Sequence, residues 1–424
     1  MPLDNDRSLP NPGPVALGGM DLFHHRNDAE LRSQRGGFRN GCALVAHLSG
    51  TLDVTRLERR LDALPEWSWR LEHRWLRPPA WRVSPRRAVI PVVTRPLTLE
   101  TAVAHLDHVD EHHPFSLRVY RAQGRDSLLL QWYHAATDAR GAVNLLRWLG
   151  SDAVRPPDRR HATSDAVLNG LPPERIRELG FAYIQRVREL GQAPIRSPHR
   201  ARSGGIRREQ RAIDLRFSDD ETATFDRATR TRAFRADTSL WLVSLARAMR
   251  RWFVGSGVEP PRHWVVPVPV SLDPPRAQHR FFGNNLTMMM AGLDNLDDEG
   301  AAIRSLALQR RAMIEKKLDV GAIALLHRSK VLPWRIADVL ARHPFGGERC
   351  SFLFSNIGRI RLETFAGHAV QDAFALPCVL PSPGIQFVAQ RHGARQRLLT
   401  VVREDVITAA SVRPLLPALR ASLR

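Results

Sequence analysis

The stretch from Ser127 to Leu149 constrains the fold more than any other part of this 424-residue chain. Ser127 to Trp132 is a short, strongly apolar run that reads as a buried strand; it delivers Tyr133 and His134 into the turn Ala135-Ala136-Thr137-Asp138, and Gly141 to Leu149 then has helical spacing. A strand that hands a histidine to a short turn and then to a helix needs a sheet with helices packed on it, so the expectation is a mixed α/β fold. There is no heptad series and no short-period repeat, which sets coiled coils and solenoids aside.

The same stretch carries the most reactive arrangement in the chain. A histidine leaving a strand, with an aspartate four residues on, can present its imidazole to a channel while the carboxylate turns back to hold the loop. His134 is therefore the candidate general base and Asp138 its partner. Spacing alone is weak evidence, because a chain this rich in histidine should hold roughly one such pair by chance. This one holds four: His24 to Asp28 in a polar stretch, His161 to Asp165 after an Arg/Pro-rich run, His368 to Asp372 directly after Gly367, and His134 to Asp138. Only the last has an unbroken strand before it and a helix after it. The ordinary reading of that pair is a buried histidine bonded to backbone beside a helix-capping aspartate.

The rest of the chain repeats the alternation. Cys42 to Leu52 suits a strand, and Asp53 caps a helix carrying Val54, Leu57, Leu61 and Leu64. Trp81 to Val93 and Leu117 to Arg121 read as strands, with a helix from Thr98 to Asp110 between them. After a helical stretch, Pro173 to Leu190, the Ser-, Arg- and Gly-rich run Ser197 to Gly205 marks a junction. The expected division is residues 1–196, a linker over 197–209, and residues 210–424. The second half continues with a strand at Gln210 to Phe217, a helix from Ser218 to Arg232, and a helix at Leu240 to Phe253 capped by Thr238. Trp264 to Ser271, Leu286 to Leu293, Arg349 to Ser355 and Gln396 to Arg403 read as strands, and Asp297 to Leu318 and Gly321 to Ala341 as helices.

A net charge of +20 suits a polyanionic partner, but only three lysines occur and the arginines are scattered rather than clustered with aromatics, so nucleic acid is not expected. Cys42, Cys350 and Cys378 lie far apart and lack Cys-x-x-Cys spacing, which points to a reducing, cytoplasmic setting with neither disulfides nor zinc. His105, His108, His112 and His113 have helical spacing, yet Pro114 ends any helix there and no metal is expected. Gly321 to Leu340 mixes apolar and basic residues around Pro333; core packing is the expected use, and membrane contact is peripheral at most.

Four stretches in sequence order carry a resemblance: LSGTLDVTRLERRLDAL at Leu48–Leu64, WYHAATDARGA at Trp132–Ala142, VPVPVSLDPPRAQHRFFGNNL at Val266–Leu286, and FSNIGRI at Phe354–Ile360. Together they resemble the His-x-x-x-Asp acyltransferase superfamily, which includes condensation domains, alcohol-acetyltransferase-like proteins and wax ester synthases. The resemblance implies two chloramphenicol-acetyltransferase-like subdomains in a V-shaped pseudo-dimer with a tunnel between them. It implies transfer of an acyl group from a thioester, either acyl-CoA or an acyl carrier protein, to a hydroxyl or amine, in natural-product or lipid biosynthesis. No permanently bound cofactor is implied. His134 would be the base; Ser355, Asn356 and Tyr133 would serve the oxyanion or substrate; and Arg276 or Arg280 would pair with Asp138. A carrier-protein-dependent condensation enzyme and a catalytically degenerate binding protein are the alternatives. Three positions depart from the family's pattern: Tyr133 stands for the first histidine, Ala139 for a glycine, and Asp273 where relatives often place an arginine. Gly141 is expected to take the tight bend that Ala139 resists, and Tyr133 to point into the sheet.

Overall fold

The computed structural model describes residues 13–33, 38–74, 77–84, 86–153, 155–157, 160–201, 209–233, 236–274 and 280–423. The strands that build the two main sheets and a separate two-stranded ribbon are β1 (Gly41–Leu48), β2 (Phe115–Ala122), β3 (Arg125–Tyr133), β4 (Gln210–Arg216), β5 (Trp264–Ser271), β6 (Leu286–Leu293), β7 (Leu353–Ile360), β8 (His368–Leu376), β9 (Ile385–His392) and β10 (Arg395–Arg403). The helices that matter to the site are α1 (Gly19–Ser33), α2 (Val54–Asp62), α3 (Ala139–Gly150), α4 (Pro173–Leu190), α5 (Asp237–Gly255), α6 (Leu318–Arg328) and α7 (Trp334–Arg342).

One sheet has the order Thr364–Phe365, β8, β1, β3, β2, Val92–Val93, and a second has the order β7, β9, β10, β4. β5 and β6 form an antiparallel ribbon. An apolar layer that includes Val45, Tyr120, Leu129, Phe374, Val388, Leu399 and Val401 lies between the two main sheets. Each sheet also buries its other face, the first against α2 and α3 and the second against α5. β8 pairs antiparallel with β1, so a strand from late in the chain joins the first sheet.

Several sequence expectations change for identifiable reasons. Trp81 to Val93 is not one strand: Arg77–Val83 ends early, and the Ala88 and Ile90 amides are taken by Asp62 and Glu58 of α2, which replaces ladder bonds with side-chain acceptors. The helix expected to Asp110 stops at Ala104 and tightens into a single 3₁₀ turn, Leu106–His108. Thr238 lies inside the first turn of α5, whose N-cap is Ala236. His368 does begin a strand, because Ala366 and Gly367 both have positive φ and form the tight turn that pairs Phe365 with His368. Gly321 to Ala341 splits into α6 and α7 at Pro333; Ile323 and Ala324 pack on Leu179, while Val331, Ile336, Val339 and Leu340 are exposed. The linker expected over 197–209 falls mostly outside the described residues.

Among the described residues no helix is long and apolar enough to cross a membrane. No group of three or more His, Cys, Asp or Glu side chains among them is placed to hold a metal; His105 instead meets His108 and the Tyr120 hydroxyl.

Candidate active site

The site forms where β3 ends. β3 pairs with β1 in a register that sets Tyr133 opposite Gly41, and the ladder is extended by the His134 amide donating to the Asn40 carbonyl at 2.9 Å. Gly41 permits this close packing, because a side chain there would drive into the Leu106 carbonyl. The turn then closes with Ala136 N donating to Tyr133 O, and Asp138 caps α3 by accepting from Gly141 N at 2.9 Å.

A segment from the β5–β6 connection, Arg280 to Asn285, threads against this turn. Gly283 N donates to Ala136 O, Thr137 Oγ1 donates to Phe281 O, and Asn284 Nδ2 donates to His134 O at 2.9 Å. Phe281 and Phe282 fill the core under β1 and β3. His134 is thus held through both its amide and its carbonyl. His134 is partly exposed as a residue while Tyr133, Ala135, Ala136, Thr137 and Asp138 are buried, although its Nδ1 lies out of contact with solvent. Burial lowers its pKa, opposed by its own backbone, the Asp138 charge and Asn284, which keeps the ring neutral and able to accept a proton at neutral pH.

Arg280 is 4% exposed and sits between two carboxylates. Its Nη2 donates to Asp138 Oδ1 at 2.8 Å and Oδ2 at 2.9 Å, and to Asp273 Oδ2 at 2.6 Å; Nε reaches both oxygens of Asp273. Burial alone would raise the Asp138 pKa, but Arg280 and the Gly141 and Asn285 amides hold it below the usual carboxylate range. Asp138 is therefore an anchored anion rather than a proton carrier. The arginine absent at position 273 is supplied seven residues later, and Asp273 is its second partner. Arg276 lies outside the described residues.

Gly141 marks the tightest approach in the loop. A Cβ there would stand 2.1 Å from Thr137 Oγ1 and 2.7 Å from the Phe281 carbonyl. Ala139 is an ordinary first residue of α3. Gly141→Ala is expected to cost about 1–3 kcal/mol through overpacking. Urea denaturation measures this, and an unchanged midpoint would refute the close-approach account.

Two sequence assignments need correction. Tyr133 does not face substrate: it is fully buried, with its hydroxyl 2.9 Å from His25 Nδ1. Asn356 has no donor left for an oxyanion, because Nδ2 donates to Asp237 and Thr238 at the start of α5 and Oδ1 accepts from Gly358 N. Ser355 is partly exposed, and its nearest side-chain partner is Gln386 at 3.4 Å.

The part of the site that sequence reasoning missed is α1. Asp21, His24, His25 and Asp28 follow helical i, i+3, i+4, i+7 spacing and are all buried. Asp21 accepts from both nitrogens of Asn284, His24 stacks on His134, His25 meets Tyr133, and Asp28 accepts from Asn40 N. The signal was a polar helical stripe, which usually marks a solvated face.

These buried histidines give the fold an acid sensitivity. Burial lowers His24 and brings His25 down to about 4, against about 6.5 in an unfolded chain. The unfolded chain then binds protons first, so stability falls as pH drops from about 6.5 to about 4, with a slope of about 1.4 kcal/mol per pH unit for each such ring. Asp21, raised by burial to about 6, acts in the opposite sense over part of that window, and His134 and His161 add to the histidine side. Denaturation midpoints at pH 7 and pH 5 check the sign, and a midpoint at pH 5 equal to or above that at pH 7 contradicts it.

No protein-family model matches the sequence, and no curated protein matches it significantly. Solved structures do. The first condensation domain of the CDA synthetase superposes with a TM-score of 0.71 at 14% identity, covering 97% of this chain and 95% of that one. Trichothecene 15-O-acetyltransferase from Fusarium sporotrichioides gives 0.69 at 14% identity, with 97% and 94% covered. The chain thus shares the fold of this condensation domain and of this O-acetyltransferase. A wax ester synthase/diacylglycerol acyltransferase from Marinobacter aquaeolei has the same fold, with a TM-score of 0.56 at 12% identity over 96% of this chain and 98% of that one.

Proposed function

We propose that the chain is an acyltransferase that moves an acyl group from a thioester to a hydroxyl or amine, with His134 as general base. One observation carries the reading: a partly exposed histidine on an otherwise buried turn, clamped at its amide and carbonyl, beside an aspartate committed to an arginine. Acyl transfer needs a base that removes the acceptor's proton as it attacks, and a neutral imidazole does this near neutral pH. The acceptor atom bonds the thioester carbonyl carbon, its proton passes to His134, and collapse of the tetrahedral adduct breaks the C–S bond. The leaving thiolate then takes the proton back. No acyl-enzyme is formed. Ser355 is the side chain we assign to the oxyanion, with Asn356 withdrawn from that role.

A condensation domain, an O-acetyltransferase and a wax ester synthase/diacylglycerol acyltransferase share this fold, which supports the class and leaves the substrates to experiment. Coenzyme A release is measured across acyl-CoA chain lengths with pooled alcohols and amines. Acceptor-dependent thiol release supports the reading. Release that requires a purified acyl carrier protein assigns the donor to a carrier, and no transfer from either donor refutes it.

A further inference from the structure

The imidazoles of His24 and His134 lie face to face, with ring centroids 3.5 Å apart and planes 10° from parallel. The contact is set by the backbone around it. Asn40 accepts the His134 amide on its carbonyl and donates Nδ2 to the His24 carbonyl at 2.7 Å, so one residue ties both. Asp21, one turn before His24, holds Asn284, which holds the His134 carbonyl. Gly18 and Gly19 let α1 enter this closely: a Cβ on either would meet Thr163 or the His327 amide at under 3 Å. Nε2 of His24 and Nδ1 of His134 are buried without a hydrogen-bond partner.

We infer that His24 is a positioning residue for His134: its neutral ring fixes the plane of the base by stacking and faces the positive charge that His134 gains when it takes the acceptor's proton. The inference rests on the acyl-transfer reading for its catalytic consequence, but the stack does not depend on it. Parallel rings cannot share an in-plane N–H to N bond, so no proton moves between them. A cation over a neutral aromatic face is stabilised, whereas two protonated rings at this separation repel, so the pair takes up at most one proton. His24 is 9% exposed and His134 is the more exposed residue of the two, so the proton is assigned to His134. The other titratable groups around the pair are Asp21 and His25 on α1, Tyr133 and Asp138 flanking the base, and Arg280 with Asp273 behind Asp138. Asp21 and Asp138 are already committed to Asn284 and Arg280, which leaves His24 as the group in contact with the face of the base.

The test uses the full chain, with isotope-labelled histidine followed by NMR against pH, in wild type, His24→Ala and His24→Phe; His134→Gln assigns the resonance. His24→Ala is expected to move the His134 midpoint upward, since water then reaches the ring and relieves the burial that lowers it, and His24→Phe to leave it near the wild-type value. In the transfer assay His24→Ala should lower kcat about tenfold with KM unchanged, and His24→Phe should recover most of that loss by restoring a flat neutral face. An unmoved His134 midpoint in both variants, or equal losses of kcat in Ala and Phe, overturns the inference. If the wild-type protein transfers no acyl group, the functional reading fails, and the NMR titration still decides the stack.

Discussion

His134→Ala is expected to lower acyl transfer by about 10²- to 10⁴-fold in kcat, the range that a positioned general base contributes. The loss should fall on kcat and kcat/KM together, because the imidazole acts on the proton in flight and makes little contact with a bound ground state. The fold should survive, since the turn is held by main-chain bonds to Asn40, Ala136 and Asn284 that alanine retains. Removing His134 also takes away the ring stacked on His24, so a modest drop in denaturation midpoint is expected. Retained transfer in a folded His134→Ala protein would mean that the acceptor is deprotonated elsewhere, and the whole reading of the site would fall with it.

How much of this was legible in the residues follows from where each signal lies. β3 and α3 were readable because an apolar run and a helical period meet at a capping aspartate, and both are local properties. β5 and β6 were readable for the same reason, with boundaries that match those expected. β8 was missed because a glycine before His368 reads as a break, whereas here it completes a two-residue turn whose value depends on β1 being alongside. α1 was missed for a deeper reason. Periodicity distinguishes a helix face by polarity, and a stripe of Asp and His is assigned to water unless its partners are known. Those partners, Asn40, Tyr133, His134 and Asn284, come from three other parts of the chain. The tolerance of Asp273 was likewise invisible, since it depends on a side chain seven residues on folding back between two carboxylates.

That arrangement supports the second large prediction. Arg280→Ala is expected to destabilise the protein by about 3–5 kcal/mol, the cost of leaving a buried ion pair without one partner. Here the cost falls on two carboxylates, Asp138 and Asp273, whose side chains are 9% and 5% exposed. With the guanidinium gone the two cannot both stay charged cheaply, so one takes a proton and its folded pKa rises above the unfolded value. The sign follows: a carboxyl raised in the folded state makes stability increase as pH falls toward about 4, so the deficit relative to wild type should shrink between pH 7 and pH 5. In the wild type Asp138 is depressed and contributes no such gain in that window. Adding Asp138→Asn and Asp273→Asn to the Arg280→Ala background removes both stranded charges, while the amide oxygen introduced at position 138 can still cap α3, and should recover most of the loss. Urea denaturation of the single and triple variants at both pH values measures this. Equal deficits at pH 7 and pH 5, or no recovery in the triple variant, would show that Arg280 acts through its Nη1 bond to the Gly283 carbonyl rather than by holding the loop's charge in place.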